Sequence, residues 1–392
     1  MNTIQLKKGH ERPYVNGQLN VDRDDLSDDT FLKDGEIVKV EDPFGKLIGI
    51  AMLSFEQKTR GWILTHDPHE PIDDKFIEKR IKNAIEKRTP LYNQEDTTAF
   101  RLFNEIGDGI GGFTVDNYDD HLLITFYSRG IYKIRDLIIK TLMVELNPNS
   151  ITEQTRFSDQ GKLEVKNRRI TGSVEFPITV LESGVKYSVH LDEGPMTRLF
   201  LDQRETRKAL VQNAYNAKSF LNMFAYSGTF SVAANVGGMM TTSVDLAKRS
   251  RDLITENFNV GNLSMDGQNI YIMEAFEYLS YVARKKHHFD AILMDPPSFA
   301  RSGKKVFKVE RDFPKLIKEA LKVLKPNGYL ILSQNLESMT LTQFKKQIDR
   351  TLAETGQAYT LIDVKGLPKD FPTVKGYKNG KYLKVVTLQI HS

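Results

Sequence analysis

Ser219-Phe220-Leu221-Asn222-Met223-Phe224-Ala225-Tyr226-Ser227-Gly228-Thr229-Phe230 decides the fold of this chain. Ser219 to Phe224 is a short, largely apolar run, as expected for a strand buried on both faces of a parallel sheet. The Tyr226-Ser227-Gly228-Thr229 turn then opens a helix over Phe230-Ser231-Val232-Ala233-Ala234-Asn235. Gly228 has no Cβ, so a ligand can approach the backbone there and meet the free N–H groups of the helix start.

Working outward, Thr241-Thr242-Ser243-Val244-Asp245 is a second β-branched run, ending in a carboxylate. In a doubly wound sheet, an acid at the end of the second strand accepts hydrogen bonds from ribose hydroxyls. With a single glycine in the turn, G-x-G-x-x-G is absent and a pyrophosphate ligand is disfavoured. Phe289-Asp290-Ala291-Ile292-Leu293-Met294 is another buried strand, and it runs into Asp295-Pro296-Pro297-Ser298-Phe299. Two prolines cannot continue a ladder, so the chain leaves the sheet at its carboxyl edge, where ligands bind in this fold class.

These runs, Phe220 to Gly228, Val244-Asp245 and Met294-Asp295-Pro296-Pro297-Ser298-Phe299, resemble the class I S-adenosylmethionine-dependent RNA methyltransferases. More narrowly, nearly the whole chain is similar to large-subunit ribosomal RNA methyltransferases with an N-terminal PUA domain. That group includes the 23S rRNA cytosine-C5 enzyme of the RlmI type, and the guanine-N7 half of the fused RlmKL type has a similar catalytic domain. The resemblance implies an α/β fold with a Rossmann-like methyltransferase domain: a doubly wound, mostly parallel seven-stranded sheet. A small β-barrel PUA domain and a small α/β middle domain would precede it. It also implies S-adenosyl-L-methionine as cofactor, 23S rRNA as partner and admits a homodimer.

The chain has 392 residues, too many for one ordinary domain. Its 40% hydrophobic and 27% charged residues are those of a soluble protein, and its net charge of +4 permits a polyanionic partner without demanding one. No apolar run approaches the about 18 residues that cross a bilayer, and Met1 to Lys8 has no apolar signal core, so a cytoplasmic location without membrane contact is expected. The absence of cysteine excludes disulfides, thiolate metal sites and a cysteine nucleophile. No metal is expected.

Residues 1–74 carry short strand-like runs, Glu36 to Val40 and Leu47 to Met52, around an Asp42-Pro43-Phe44-Gly45 turn, similar to the family's RNA-binding PUA domain. Lys7 and Lys8 are its phosphate candidates, although a solvated charge cluster reads equally well. A linking domain is expected over 75–183, with a helix from Asp73 to Lys87, a strand Leu122 to Tyr127, a helix Ile134 to Val144, and two strands on each side of the latter. The glycine-rich span Phe100 to Tyr118 lacks a Gly-Lys-Ser/Thr ending and reads as tight turns, not a phosphate loop. The methyltransferase domain is expected over 184–392, as a strand and helix alternation that argues for a parallel sheet.

S-adenosylmethionine carries its own activated methyl group, so the protein must bind, orient and exclude water. The resemblance places Phe224, Tyr226, Ser227 and Gly228 in the cofactor loop, Asp245 at the ribose, and Glu274 with Ala275 at the adenine. It places Gln203 and Arg204 at the cofactor's methionine end, in a helix capped by Asp202. Asp295 is the leading catalytic candidate and touches the cofactor side as well; its carboxylate and the Pro296 carbonyl can take hydrogen bonds from a base edge, and Phe299 offers a stacking face.

Carbon 5 of a pyrimidine is a poor nucleophile, and relatives that methylate it carry Ser-Cys-Ser after the fifth strand. Here Ser333-Gln334-Asn335 stands there. A ring or exocyclic nitrogen is therefore the expected target, guanine N7 first, with Gln334 contacting the base. Arg301, Lys304, Lys305 and Lys308, around Gly303, read as a substrate loop. A second basic stretch, Lys365 to Lys384, holds Phe371 and Tyr377 and reads with Phe307 as a path for splayed RNA bases. Two other readings remain: an inactive RNA-binding or ribosome-assembly factor, favoured by Gln334, and a small-molecule or protein methyltransferase.

Overall fold

The computed structural model describes residues 1–391 except 29–31, 57–58, 160–161, 164, 303–304 and 375–376; side chains at 56, 158–159, 162–163, 300–302, 305–306 and 378–379 are also outside the description. The backbone divides into two compact units. One comprises Met1–Val180, Val189–Thr197 and Lys369–Gly380; the other comprises Leu181–Ser188, Arg198–Pro368 and Lys381–Ser392. The front and linking regions expected as separate domains thus share one unit, and two short pieces of the expected 184–392 span join them.

The first unit holds two five-stranded sheets. In the N-terminal one, Asn2–Gln5 and Asn20–Asp22 are the edges, and an isolated Leu6–Leu26 bridge draws these edges together as in a small barrel. In the other, the order is Lys166–Gly172, Ser150–Thr155, His121–Phe126, Phe113–Tyr118, Ala99–Asn104. Three strands precede its helix Arg135–Leu146, where sequence suggested two. The glycine run between Ala99–Asn104 and Phe113–Tyr118 is explained by packing: a Cβ on Gly111 would lie 2.4 Å from the Trp62 ring.

Within Lys369–Gly380, Asp370 and Phe371 face inward. Asp370 is buried and its Oδ2 accepts from the Arg101 backbone N–H at 2.8 Å, while its carbonyl accepts from Arg88. Phe371 is buried under the Arg101 guanidinium, 4.6 Å from the ring centre, and Tyr377 packs on the apolar core that includes Phe100 and Phe103. Arg88 is itself buried and grips both carboxylate oxygens of Asp108, at 2.8 and 2.7 Å. Phe371 is spent on anchoring this segment, where sequence alone offered it to RNA.

The second unit is built on one seven-stranded sheet. Its strands are β1 (Ser219–Met223), β2 (Met240–Asp245), β3 (Asn269–Ile272), β4 (Phe289–Met294), β5 (Leu324–Gln334), β6 (Ala358–Lys365) and β7 (Lys384–His391), in the order β3-β2-β1-β4-β5-β7-β6. All neighbours are parallel except the two pairs made by β7. Helices α1 (Arg204–Val211), α2 (Thr229–Val236), α3 (Ser250–Val260), α4 (Ala275–Arg284), α5 (Val309–Leu321) and α6 (Leu341–Glu354) connect or precede the strands.

Leu221, Met223, Ile292, Met294, Leu330 and Leu332 face one core, while Phe220, Ala291, Leu293 and Ile331 face another on the opposite side of the sheet. Such two-sided burial explains the unbroken apolar runs, each large side chain contributing about 1.5–3 kcal/mol. The sheet reverses direction of crossover at β1, so β1 and β4 open a crevice at the carboxyl edge.

Candidate active site

The turn after β1 is under backbone constraint. Phe224, Tyr226 and Gly228 take φ values of 62°, 50° and 73°, left-handed conformations that are uncommon for aromatic residues and mark functional loops. Asp245 at the end of β2 holds this loop through Oδ2, which accepts from the Tyr226 N–H at 2.8 Å, while Oδ1 accepts from the Ala247 N–H of its own exit turn, also at 2.8 Å. Asn257 of α3 donates to the Ser227 carbonyl at 2.9 Å, and the Ser227 hydroxyl donates to the Arg198 carbonyl. A Cβ on Gly228 would meet Ile254 of α3 at 2.8 Å. The left-handed φ and the close approach of Ile254 both favour glycine here.

Glu274 follows β3 and caps α4; Oε2 takes both bonds, from Phe276 N–H at 3.0 Å and Glu277 N–H at 3.2 Å. Its second oxygen carries neither, and Ala275 is buried behind it. Tyr226 lies between the half-exposed Phe200, at 5.7 Å between ring centres, and the Arg249 guanidinium, at 6.0 Å. Neither neighbour was singled out by sequence, because each comes from a different connection.

Asp295 stands at the carboxyl end of β4. Gln203 Nε2 donates to Asp295 Oδ2 at 3.2 Å and to Ser333 Oγ of β5 at 2.9 Å, while Gln203 Oε1 accepts from Thr206. Burial pushes the Asp295 carboxyl up to about 6; nearby Asp202 adds to the rise, and the bonds from Ser333 and Gln203 oppose it. Asp202 does not cap α1, whose first turn has no side-chain cap; it accepts from the Tyr382 hydroxyl at 2.8 Å. Arg204 lies 3.8 Å from the buried Glu182, whose two oxygens are gripped by Arg207.

Pro296 is buried and Phe299 is 59% exposed, four residues beyond the acid in the chain. Gln334 ends β5 at 1% exposure, and among the described residues neither Nε2 nor Oε1 has a hydrogen-bond partner. An unsatisfied buried amide costs about 1–3 kcal/mol per group, so this side chain is a standing demand for a partner. Next to it, Asn335 Oδ1 accepts from Ser298 Oγ at 2.8 Å, which ties the β5 exit to the Asp-Pro-Pro loop. Lys384 braces the same exit by donating to the Leu336 and Met339 carbonyls, both at 2.7 Å; its burial brings the amine down to about 8.

Residues 162–383 match the S-adenosylmethionine-dependent methyltransferase family, and residues 4–66 match the PUA-like domain family. YwbD of Bacillus subtilis, provisionally named a ribosomal RNA large subunit methyltransferase, is 40% identical, covering 99% of this chain and 100% of its own. Ribosomal RNA large subunit methyltransferase I of Aeromonas salmonicida is 29% identical, over 90% of this chain and 89% of its own. A crystal structure of SMU.776, provisionally described as a methyltransferase and complexed with SAH, has a TM-score of 0.90 and 35% identity, covering 99% of this chain and 100% of that one. The chain is an S-adenosylmethionine-dependent methyltransferase.

The residues present fit that cofactor. A strained loop opening α2, an acid ending β2 and an acid with one uncommitted oxygen after β3 stand in sequence along the carboxyl edge of three adjacent strands. Of the RNA candidates in this methyltransferase, Lys8 is exposed, Lys7 Nζ donates to the Asp24 carbonyl at 2.8 Å, and Lys308 is exposed at the start of α5. Lys304 and Gly303, and the side chains of Arg301 and Lys305, lie outside the described residues. Phe307 packs toward Phe224, 6.1 Å between ring centres, and is half-buried. Among the described residues no helix is long and apolar enough to cross a membrane.

Proposed function

We propose that this enzyme methylates a base nitrogen of large-subunit ribosomal RNA, guanine N7 before others. The single observation that carries the reading is Gln334: a buried amide with both polar atoms unpartnered among the described residues stands where cytosine-C5 relatives place their nucleophile, in a chain with no cysteine. The names of the similar rRNA methyltransferases support the substrate class.

Asp245 is assigned to the ribose hydroxyls, the Phe224–Gly228 loop to the cofactor's body, and the uncommitted oxygen of Glu274 to the adenine amino group. When bound, S-adenosylmethionine supplies a methyl group on a sulfonium, activated for transfer to a lone pair. Guanine N7 already presents such a lone pair, so neither a thiolate nor a base to remove a proton is needed. The Gln334 amide donates to O6 beside N7 and turns the N7 edge inward. The Phe299 face stacks on the ring, and the Asp295 carboxylate, ionised above about 6, offsets the positive charge that the purine gains.

The test is methyl transfer by the purified protein to protein-free 23S rRNA, with Gln334→Ala beside the wild type. The reading requires base methylation by the wild type, loss of about tenfold or more in the variant, and unchanged cofactor affinity. Wild-type product at carbon 5 of cytosine overturns it.

A further inference from the structure

The first unit carries a groove of about 460 Å³ between helix Arg135–Leu146 and the edge strand Lys166–Gly172. Four cations line it, Arg135, Lys140, Arg168 and Arg169, against one acid, Asp136. In the whole chain 55 basic residues face 51 acidic ones, so this imbalance is local.

Arg135 is engaged, with Glu153 at 2.7 Å and Asp136 at 3.3 Å, and Lys140 and Arg168 are the displayed charges. Glu153 is buried beneath them and is shared by Arg135 at 2.7 Å and Arg168 at 3.4 Å, so one carboxylate serves two guanidiniums. The Arg168 side chain keeps 57% of its exposure. Arg169 is aligned by a bond to Thr152 Oγ1 at 3.0 Å, and Lys140 is exposed with no ion pair among the described residues. The helix also presents apolar side chains to the groove: Met143 is 44% and Val144 71% exposed.

We propose that this groove is a docking surface for the backbone of a ribosomal RNA segment other than the target nucleotide, an inference that rests on the rRNA reading above. Phosphates meet Lys140 and Arg168, while ribose and base faces lie on Met143 and Val144. A second copy of the chain fits worse. A two-fold contact centred here sets the exposed Lys140 and Arg168 against the same cations of the second copy, since Glu153 and Asp136 are already engaged with Arg135 and Arg168.

The experiment is filter binding of the full chain to protein-free 23S rRNA across a salt series, comparing wild type with Lys140→Glu/Arg168→Glu and with the milder Lys140→Gln/Arg168→Gln. Thermal melts confirm that each variant folds. The expected result is an affinity loss of about tenfold or more, a salt slope shallower by about 1–2 in both variants, and wild-type methyl transfer at saturating RNA. Wild type that methylates 23S rRNA while both variants bind it equally overturns the groove and leaves the function standing. Wild type that neither binds nor methylates 23S rRNA overturns both. A wild-type dimer that dissociates in the variants, with RNA affinity unchanged, replaces the proposal with a self-interface.

Discussion

Gln203 holds the carboxylate of Asp295 from 92 residues away, with its Nε2 3.2 Å from Oδ2, and uses the same nitrogen to reach Ser333 at 2.9 Å. One amide thus fixes the acid at the end of β4 against the neighbouring strand β5. The Gln203 oxygen is in turn aligned by Thr206, so the side chain is a positioning device for Asp295.

Gln203→Ala frees Asp295 to rotate. Misplacement of a reacting group by about 1 Å costs up to about a hundredfold in rate. The variant is expected to lose tenfold to a hundredfold in single-turnover methyl transfer, about 1.4–2.7 kcal/mol, while keeping its melting temperature within a few degrees.

Asp295 gives the enzyme an acid limb. Its folded-state value of about 6 lies above the ordinary 3.8, so the folded protein binds the proton more tightly than the unfolded chain. The associated stability is present below about 4 and is lost as pH rises through 6. Activity runs the other way, falling as pH drops below 6 because the neutral acid no longer offsets purine charge. Asp295→Asn is expected to show a low rate without that limb and a denaturation midpoint that no longer falls between pH 4 and 6. A wild-type rate that stays flat from pH 7 to 5 contradicts the assignment.

Asp245→Ala removes the acceptor for two N–H groups, Tyr226 and Ala247, together with the proposed ribose contact. Loss of charge-assisted bonds of this kind costs about 1.5–3 kcal/mol each. Calorimetry with S-adenosylmethionine is expected to show at least a tenfold weaker affinity. Asp245→Asn, which keeps one acceptor oxygen, is expected to recover part of it.

In the first unit, Arg88→Met leaves the Asp108 carboxylate buried without its bidentate partner. Breaking one side of a buried pair costs about 3–5 kcal/mol. Urea denaturation is expected to show a loss of that size. The Lys369–Gly380 segment is expected to become protease-sensitive, since Arg88 also holds the Asp370 carbonyl at 2.8 Å.

What sequence disclosed was local. A buried strand, a glycine turn and a helix predicted β1 and α2 to within a residue or two, and Asp245 and Asp295 stand at strand ends where apolar runs stop. What it withheld depends on partners distant in the chain. Gln203 read as a cofactor contact because nothing near it signals Asp295. Lys384 reads in sequence as the end of a basic stretch, yet its ammonium holds the carbonyls of Leu336 and Met339. Phe371 read as a base-stacking ring because its local pattern, aromatic among basic residues, is the same whether RNA or Arg101 covers it. Gly228 is legible at the turn, but the close approach of Ile254 that also favours glycine there is a packing fact.

The central claim is a nitrogen target read by Gln334 in an enzyme without a thiolate. It is tested most directly by nucleoside mass spectrometry on 23S rRNA digests from cells with and without the gene. Disappearance of 7-methylguanosine, restored by the wild-type gene and not by Gln334→Ala, is the predicted result. Loss of 5-methylcytidine instead contradicts the account.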